Sequence, residues 1–196
     1  MAELCAERGY RETTVEAVLE RAGVSRESFE SMFKHGRDEC LLAAENAILG
    51  EVMSAVADTY SVDRSEWDSG IAGIRAILEL MAANPSYANS GYIVVRQGGP
   101  RQAKDAYEAG ITLIVAMVDR LRDYGDRATQ PPSAARGALG GAEALIRREI
   151  VAGRAAELPR LLPDFVYAAT VPFLGQDEAL RLARRGRALL EGTPWG

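Results

Sequence analysis

The stretch that most restricts this chain runs from Thr13 to Phe33: Thr-Thr-Val-Glu-Ala-Val-Leu-Glu-Arg-Ala-Gly-Val-Ser-Arg-Glu-Ser-Phe-Glu-Ser-Met-Phe. Thr13 and Glu16 have capping-box spacing, so a helix is expected to start there. Val15, Val18, Leu19 and Ala22 then recur at the spacing of one helical face. Gly23 stops that helix, because glycine enters the left-handed cap conformation without a Cβ clash. Ser25 is placed to cap a second helix, and Phe29, Met32 and Phe33 form its apolar stripe. Two short helices around a glycine turn describe either an ordinary helical hairpin or a helix-turn-helix, whose second helix enters the DNA major groove. Spacing alone does not separate the two.

The particular residues do. Glu7-Arg8-Gly9-Tyr10, then Thr13-Thr14-Val15, then Ala22-Gly23-Val24-Ser25, then Phe33 together resemble the TetR family of bacterial transcriptional regulators. Arg37-Asp38-Glu39-Cys40-Leu41-Leu42-Ala43-Ala44 resembles the start of that family's connecting helix in its actinobacterial form. The resemblance to the DNA-binding part covers residues 1 to about 47. A second stretch, Leu161 to Tyr167 followed by Val171 to Gly175, is also similar to actinobacterial members. The resemblance implies a helix-turn-helix DNA-binding domain over 1–47 and a ligand-sensing and dimerisation domain over 48–196. It also implies a homodimer on a palindromic double-stranded DNA operator, a small-molecule effector of unknown identity and a repressor role.

The rest of the chain reads as all-α. Helices are expected over residues 2–7, 37–60, 66–83, 85–96, 100–124, 133–152, 158–173 and 176–191. With the two helices above, this makes nine or ten: a three-helix front module and a C-terminal bundle. Tyr92-Ile93-Val94-Val95 is the only β-like run and is too short to build a sheet.

Composition bounds the function classes. Hydrophobic residues make up 47% of the 196, enough for a sizeable core. No uninterrupted apolar run approaches the ~18 residues of a membrane span, and no signal segment opens the chain. Cys5 and Cys40 match no metal spacing and read as buried apolar residues on packed helices, a redox switch being the sharper alternative. A cytoplasmic protein without cofactor or metal is expected. The one histidine, His35, sits in a loop, and no phosphate loop, nucleophile elbow or ligand cluster appears, so an enzyme is not expected.

For DNA contact the candidates are Thr14, Ser25, Arg26, Glu27, Ser28, Ser31, Lys34 and Arg37. The N-termini of the two helices offer oriented amides to phosphates. Arg26 can donate twice to guanine, Glu27 can accept from cytosine, and Lys34 and Arg37 can meet phosphates. Charge opposes this: residues 1–47 hold six Lys and Arg against ten Asp and Glu, the wrong sign for a nucleic-acid module. Relative to the family pattern, Glu30 stands where a phosphate-touching tyrosine is usual, Glu27 replaces a small residue and Leu19 an alanine. One extra residue separates Phe33 from Arg37, and the first helix lacks its first half and the basic arm before it. Two expectations stay open: a start upstream of Met1, or a partly degenerate module.

The candidate effector pocket comprises Trp67, Ile74, Met81, Tyr87, Tyr92, Tyr107, Ile111 and Met117, by resemblance to the family's pocket. Arg96 at a helix end can attract an acidic ligand. The candidate dimer interface combines a small-residue face, Gly140, Gly141 and Ala144 beside Gly137, with Leu162, Phe165, Val166 and Ala169. The competing functional reading is a helical dimer of the same fold with degenerate DNA binding that acts through small-molecule or protein binding.

Overall fold

The computed structural model describes residues 1–91, 98–125 and 130–192. These residues hold ten α-helices and no strand. In chain order they are α1 (Ala2–Arg8), α2 (Val15–Ala22), α3 (Arg26–Met32), α4 (Arg37–Ala57), α5 (Glu66–Ala83), α6 (Pro85–Asn89), α7 (Arg101–Asp119), α8 (Ala134–Val151), α9 (Leu162–Leu174) and α10 (Gln176–Leu190). Two 3-10 stretches, Arg120–Tyr124 and Ala155–Leu161, tighten the chain after α7 and before α9. The β-like run at 92–95 lies outside the described residues.

The chain divides into two compact units. One comprises Met1–Glu51 with Asn84–Gly110, the other Val52–Ala83 with Ile111–Gly196. In the first unit, Leu4 of α1, Val18 of α2, Phe29 of α3 and Cys40 of α4 form one apolar cluster, with Val15, Leu19 and Phe33 packed around it. A second cluster joins Cys5, Tyr10 and Leu41 to Ala103 of α7. Both cysteines are free, buried thiols, and burial pushes each thiol up from its ordinary pKa. Glu45 of α4 is also buried, 7% exposed, and accepts a hydrogen bond from the buried Ser90 hydroxyl after α6. Its desolvation raises the carboxyl pKa, and the Ser90 bond lowers it by less.

In the second unit, α9 packs chiefly on α10, and α5 lies against α9 and the 3-10 stretch before it. The fully buried Leu158, Leu162, Val166 and Leu182 make its centre. Ser65 caps α5: its oxygen accepts from the Asp68 amide at 3.1 Å and its hydroxyl donates to the Asp68 carboxylate at 2.6 Å. The other Asp68 oxygen meets Arg185 of α10 at 2.6 Å. Gly125 has a steric reason to be glycine, since a Cβ there would stand 2.1 Å from the Phe173 carbonyl oxygen.

Four expectations about helix limits change: the helix expected over 37–60 ends at Ala57. The helix expected over 158–173 begins at Leu162, because Pro163 fits only a first turn, and Pro159 sits in the 3-10 stretch before it. The helix expected over 100–124 narrows to 3-10 geometry from Arg120. The helix expected to reach residue 96 is described as α only to Asn89. By length and composition α4 alone among the described helices is long and apolar enough to cross a bilayer. It carries Glu45 and Glu51, and core helices pass the same test.

Candidate nucleic-acid interface

The turn between α2 and α3 is built by local chemistry. Gly23 takes the left-handed conformation at φ 65° and its amide donates to the Leu19 carbonyl. Ser25 caps α3, accepting from the Ser28 amide at 3.1 Å. The cap of α2 differs from expectation by one residue. It is Thr14, which accepts from the Ala17 amide at 3.2 Å, so Glu16 is not the partner in a capping box. Thr13 is fully buried, and its hydroxyl donates to the Gly9 carbonyl at 2.9 Å. The α3 stripe is narrower than expected too: Phe29 is buried and tilts against Phe33 at 5.1 Å between ring centres. Met32 is 56% exposed.

Thr14, Ser25, Arg26, Glu27, Ser28, Ser31 and Lys34 all lie exposed. Their commitments differ. The Thr14 and Ser25 oxygens serve as caps, and Ser25 also donates to Ser28 at 2.9 Å. The Ser31 hydroxyl donates back to the Ser28 carbonyl at 2.8 Å. Arg26 is held by two carboxylates, Glu16 of α2 at 2.5 Å and Glu30 of its own helix at 3.6 Å. Lys34 makes no ion pair among the described residues.

Arg37 is placed differently from a phosphate contact. One of its terminal nitrogens donates to the carbonyls of Tyr10, Arg11 and Thr13 at 3.2, 3.3 and 2.8 Å. Its guanidinium lies 4.2 Å over the Tyr10 ring. The Tyr10 hydroxyl donates to Asp38. Burial, and then that bond, push the phenol up to about 12, so it remains a donor at neutral pH. The first turn of α4 therefore grips the corner between α1 and α2. The acceptors are carbonyls of residues 10, 11 and 13, far from Arg37 along the chain, so only the fold brings them within its reach. Elsewhere in the module Arg21 pairs with Glu7 at 2.9 Å and Glu3 at 3.2 Å.

These helices form a helix-turn-helix with a capped second helix that presents its polar side outward. Residues 2–44 match the profile of bacterial regulatory proteins of the tetR family. Residues 2–44 are a TetR-type DNA-binding domain. No curated protein sequence matches the chain. Among solved structures it is similar to one reported as a structural analysis of the fatty acid degradation regulator FadR from Bacillus halodurans, with a TM-score of 0.74 and 13% identity. The likeness covers 89% of this chain and 95% of that one, so the shared fold includes the C-terminal bundle.

The candidate effector residues fall in both units. Trp67, Ile74, Met81, Ile111 and Met117 belong to the second. There the Trp67 ring packs on Tyr124 at 5.0 Å, Ile74 and Met81 are half-buried, Ile111 is buried, and Met117 is exposed. Tyr87 and Tyr107 belong to the first unit. The Tyr87 hydroxyl donates to Glu51 at 3.2 Å, and the Tyr107 ring abuts Gly91. Tyr92 and Arg96 lie outside the described residues. A cleft of about 430 Å³ lies beyond the end of α8, lined by Glu149, Arg154, Glu157, Arg160 and Leu161 among others, and by none of the expected residues. No group of three or more metal-ligating side chains occurs among the described residues.

The candidate dimer residues split. Gly137, Gly140, Gly141 and Ala144 line the exposed side of α8, and a Cβ added at any of the three glycines would meet nothing within 4 Å. Leu162 and Val166, expected on the interface, are instead buried in the chain's own core beside Gly186 of α10. Phe165 and Ala169 are half-buried. The expectation treated α9 as one broad apolar face, whereas α9 turns its 162–166–170–173 side onto α10 and α5.

Proposed function

We propose that this protein is a ligand-responsive transcriptional repressor that binds a palindromic operator as a homodimer. The observation that carries the DNA-binding reading is the capped α2–turn–α3 unit, whose exposed side bears Arg26, Ser28 and Lys34 within a TetR-type domain. The division of labour follows residues 1–47 for DNA and 48–196 for effector binding and dimerisation. The bare glycines of α8 support the dimer. Glycine inside a helix costs up to ~1 kcal/mol relative to alanine, and among the described residues nothing stands within 4 Å of a Cβ added at these three. A second helix approaching closely along Gly140, Gly141 and Ala144, flanked by Phe165 and Ala169, would use that space. Two-fold symmetry of the protein would then match two-fold symmetry of the operator.

The effector is proposed to be a small molecule, with localisation in the cytoplasm. The test is a genome-wide selection of bound fragments, followed by titration of the enriched site. Recovery of an inverted-repeat sequence, bound with two protomers per site, supports the proposal. Binding with no sequence preference at any salt concentration favours the second reading, a TetR-fold dimer with degenerate DNA binding that acts through small-molecule or protein partners. The specific observation behind that second reading is the acidic excess of residues 1–47, exposed as Glu12 before α2, Glu16 and Glu20 on α2, and Glu27 and Glu30 on α3.

A further inference from the structure

The contact between Glu16 and Arg26 crosses from the first turn of α2 to the first turn of α3. It is closer than the contact of Arg26 with Glu30, 2.5 Å against 3.6 Å. The Glu30 pair also runs with the cation N-terminal to the anion, the less favourable order on a helix. Glu16 is therefore the principal partner of Arg26. Its carboxylate is held by its own backbone amide, the Arg26 guanidinium and the Thr14 hydroxyl, which together keep it below the usual carboxylate range. An anion held by an arginine in the first turn of α3 is in the surroundings that a nucleic-acid phosphate would seek in a helix-turn-helix. All three side chains are well exposed, at 53% for Arg26, 69% for Glu16 and 62% for Glu30. Pairs so open to water contribute little to folding stability, so a purely structural role leaves the arrangement without much effect.

We propose that the Glu16 carboxylate is an internal stand-in for a DNA phosphate, and that binding DNA exchanges this carboxylate for an external anion or a guanine edge at Arg26. The inference rests on the DNA-binding reading above and assigns Glu16 as the positioning residue that sets both affinity and salt dependence. In the free protein Arg26 is already neutralised, so its contribution to counterion release on binding is largely cancelled. Each phosphate newly neutralised adds about 0.9 to the slope of log K against log salt. Freeing Arg26 therefore steepens that slope by about one.

The experiment titrates a mixed-sequence duplex by fluorescence anisotropy over a series of salt concentrations with four proteins: the natural chain, Glu16→Gln, Arg26→Ala and the double variant. Glu16→Gln is expected to tighten binding at low salt roughly three- to tenfold and to steepen the salt dependence by about one. In the Arg26→Ala background the same substitution is expected to give a smaller gain and no change of slope. An equal gain with and without Arg26 overturns the exchange, because Glu16 then acts only as one more repelling charge. A second arm needs no DNA: carbon-detected NMR titration of the Glu16 carboxyl in the free protein, with and without Arg26→Ala. The carboxyl is expected to titrate at higher pH when Arg26 is removed, and an unchanged midpoint overturns the clamp. Absence of DNA binding by all four proteins while the NMR arm shows the pair overturns the DNA-binding reading, and the exchange with it, but leaves the pair established.

Discussion

At the scale of single residues, Arg26 and Lys34 test the two kinds of DNA contact that the proposal assigns. Arg26 sits in the first turn of α3, where a side chain can reach a base edge and form two hydrogen bonds with guanine. Arg26→Ala should weaken the specific operator roughly tenfold to a hundredfold and relax preference at one guanine. Lys34 lies past the end of α3, and Lys34→Ala should weaken all sequences alike and lower the salt slope by about one. Operator and mixed-sequence titrations with both variants check this, and an equal, sequence-independent loss would reduce Arg26 to a phosphate contact. Glu45 is a buried residue through which pH acts on stability. Its folded-state pKa is raised, chiefly by desolvation, so the folded state binds a proton that the unfolded state releases. Stability is therefore lost as pH rises from the ordinary glutamate range through the raised value. Glu45→Gln keeps an acceptor for Ser90 and removes the charge. It should melt at higher temperature than the natural chain at neutral pH, with the gap closing below the ordinary glutamate pKa, as read by thermal denaturation over pH.

At the scale of elements, the start of α4 and the corner between α1 and α2 act as one joint. Arg37 satisfies three carbonyls and covers Tyr10, which in turn donates to Asp38. Arg37→Ala leaves those carbonyls to solvent and removes a cation–π contact. It should cost about 1–3 kcal/mol of stability, while the salt slope for DNA stays unchanged once the protein is fully folded. A slope lowered by about one without loss of stability would return Arg37 to the phosphate role that its position in the sequence suggests. The α2–α3 turn was legible in the sequence because Gly23 and Ser25 act on their own neighbours. The cap of α2 was misplaced by one residue for a tertiary reason: Thr13 is drawn into the core, where its hydroxyl finds the Gly9 carbonyl, and Thr14 is left at the cap.

At the scale of the whole molecule, the proposed two-fold interface rests on α8. Ala144 is exposed and lies on the side of the bare glycines, so Ala144→Glu should leave the fold intact and place an unpaired charge in the contact. Sedimentation is expected to show monomer, and operator affinity is expected to fall sharply because one protomer can hold only a half-site. An unchanged dimer would move the interface elsewhere, to be sought by cross-linking.

What the sequence determined by itself was everything that depends on neighbours along the chain. Helical periodicity, the glycine and proline breaks, the Ser25 cap and the order of the front-module motifs follow from backbone sterics and from hydrogen bonds within a turn or two. They sufficed for the all-α class, the helix-turn-helix and most helix limits. Tertiary structure alone decided where the long side chains go. Arg26 and Arg37 look alike as exposed cations near DNA, yet one is held between Glu16 and Glu30 and the other lies on Tyr10 with its nitrogen on three carbonyls. Leu162 and Phe165 share one apolar helix, yet only Leu162 is buried against α10. A flexible arginine reaches several partners with nearly equal energy, and an apolar stripe wider than one neighbour can cover must divide its sides. Only the positions of residues far away in sequence settle which partner an arginine takes and which side of a stripe is covered.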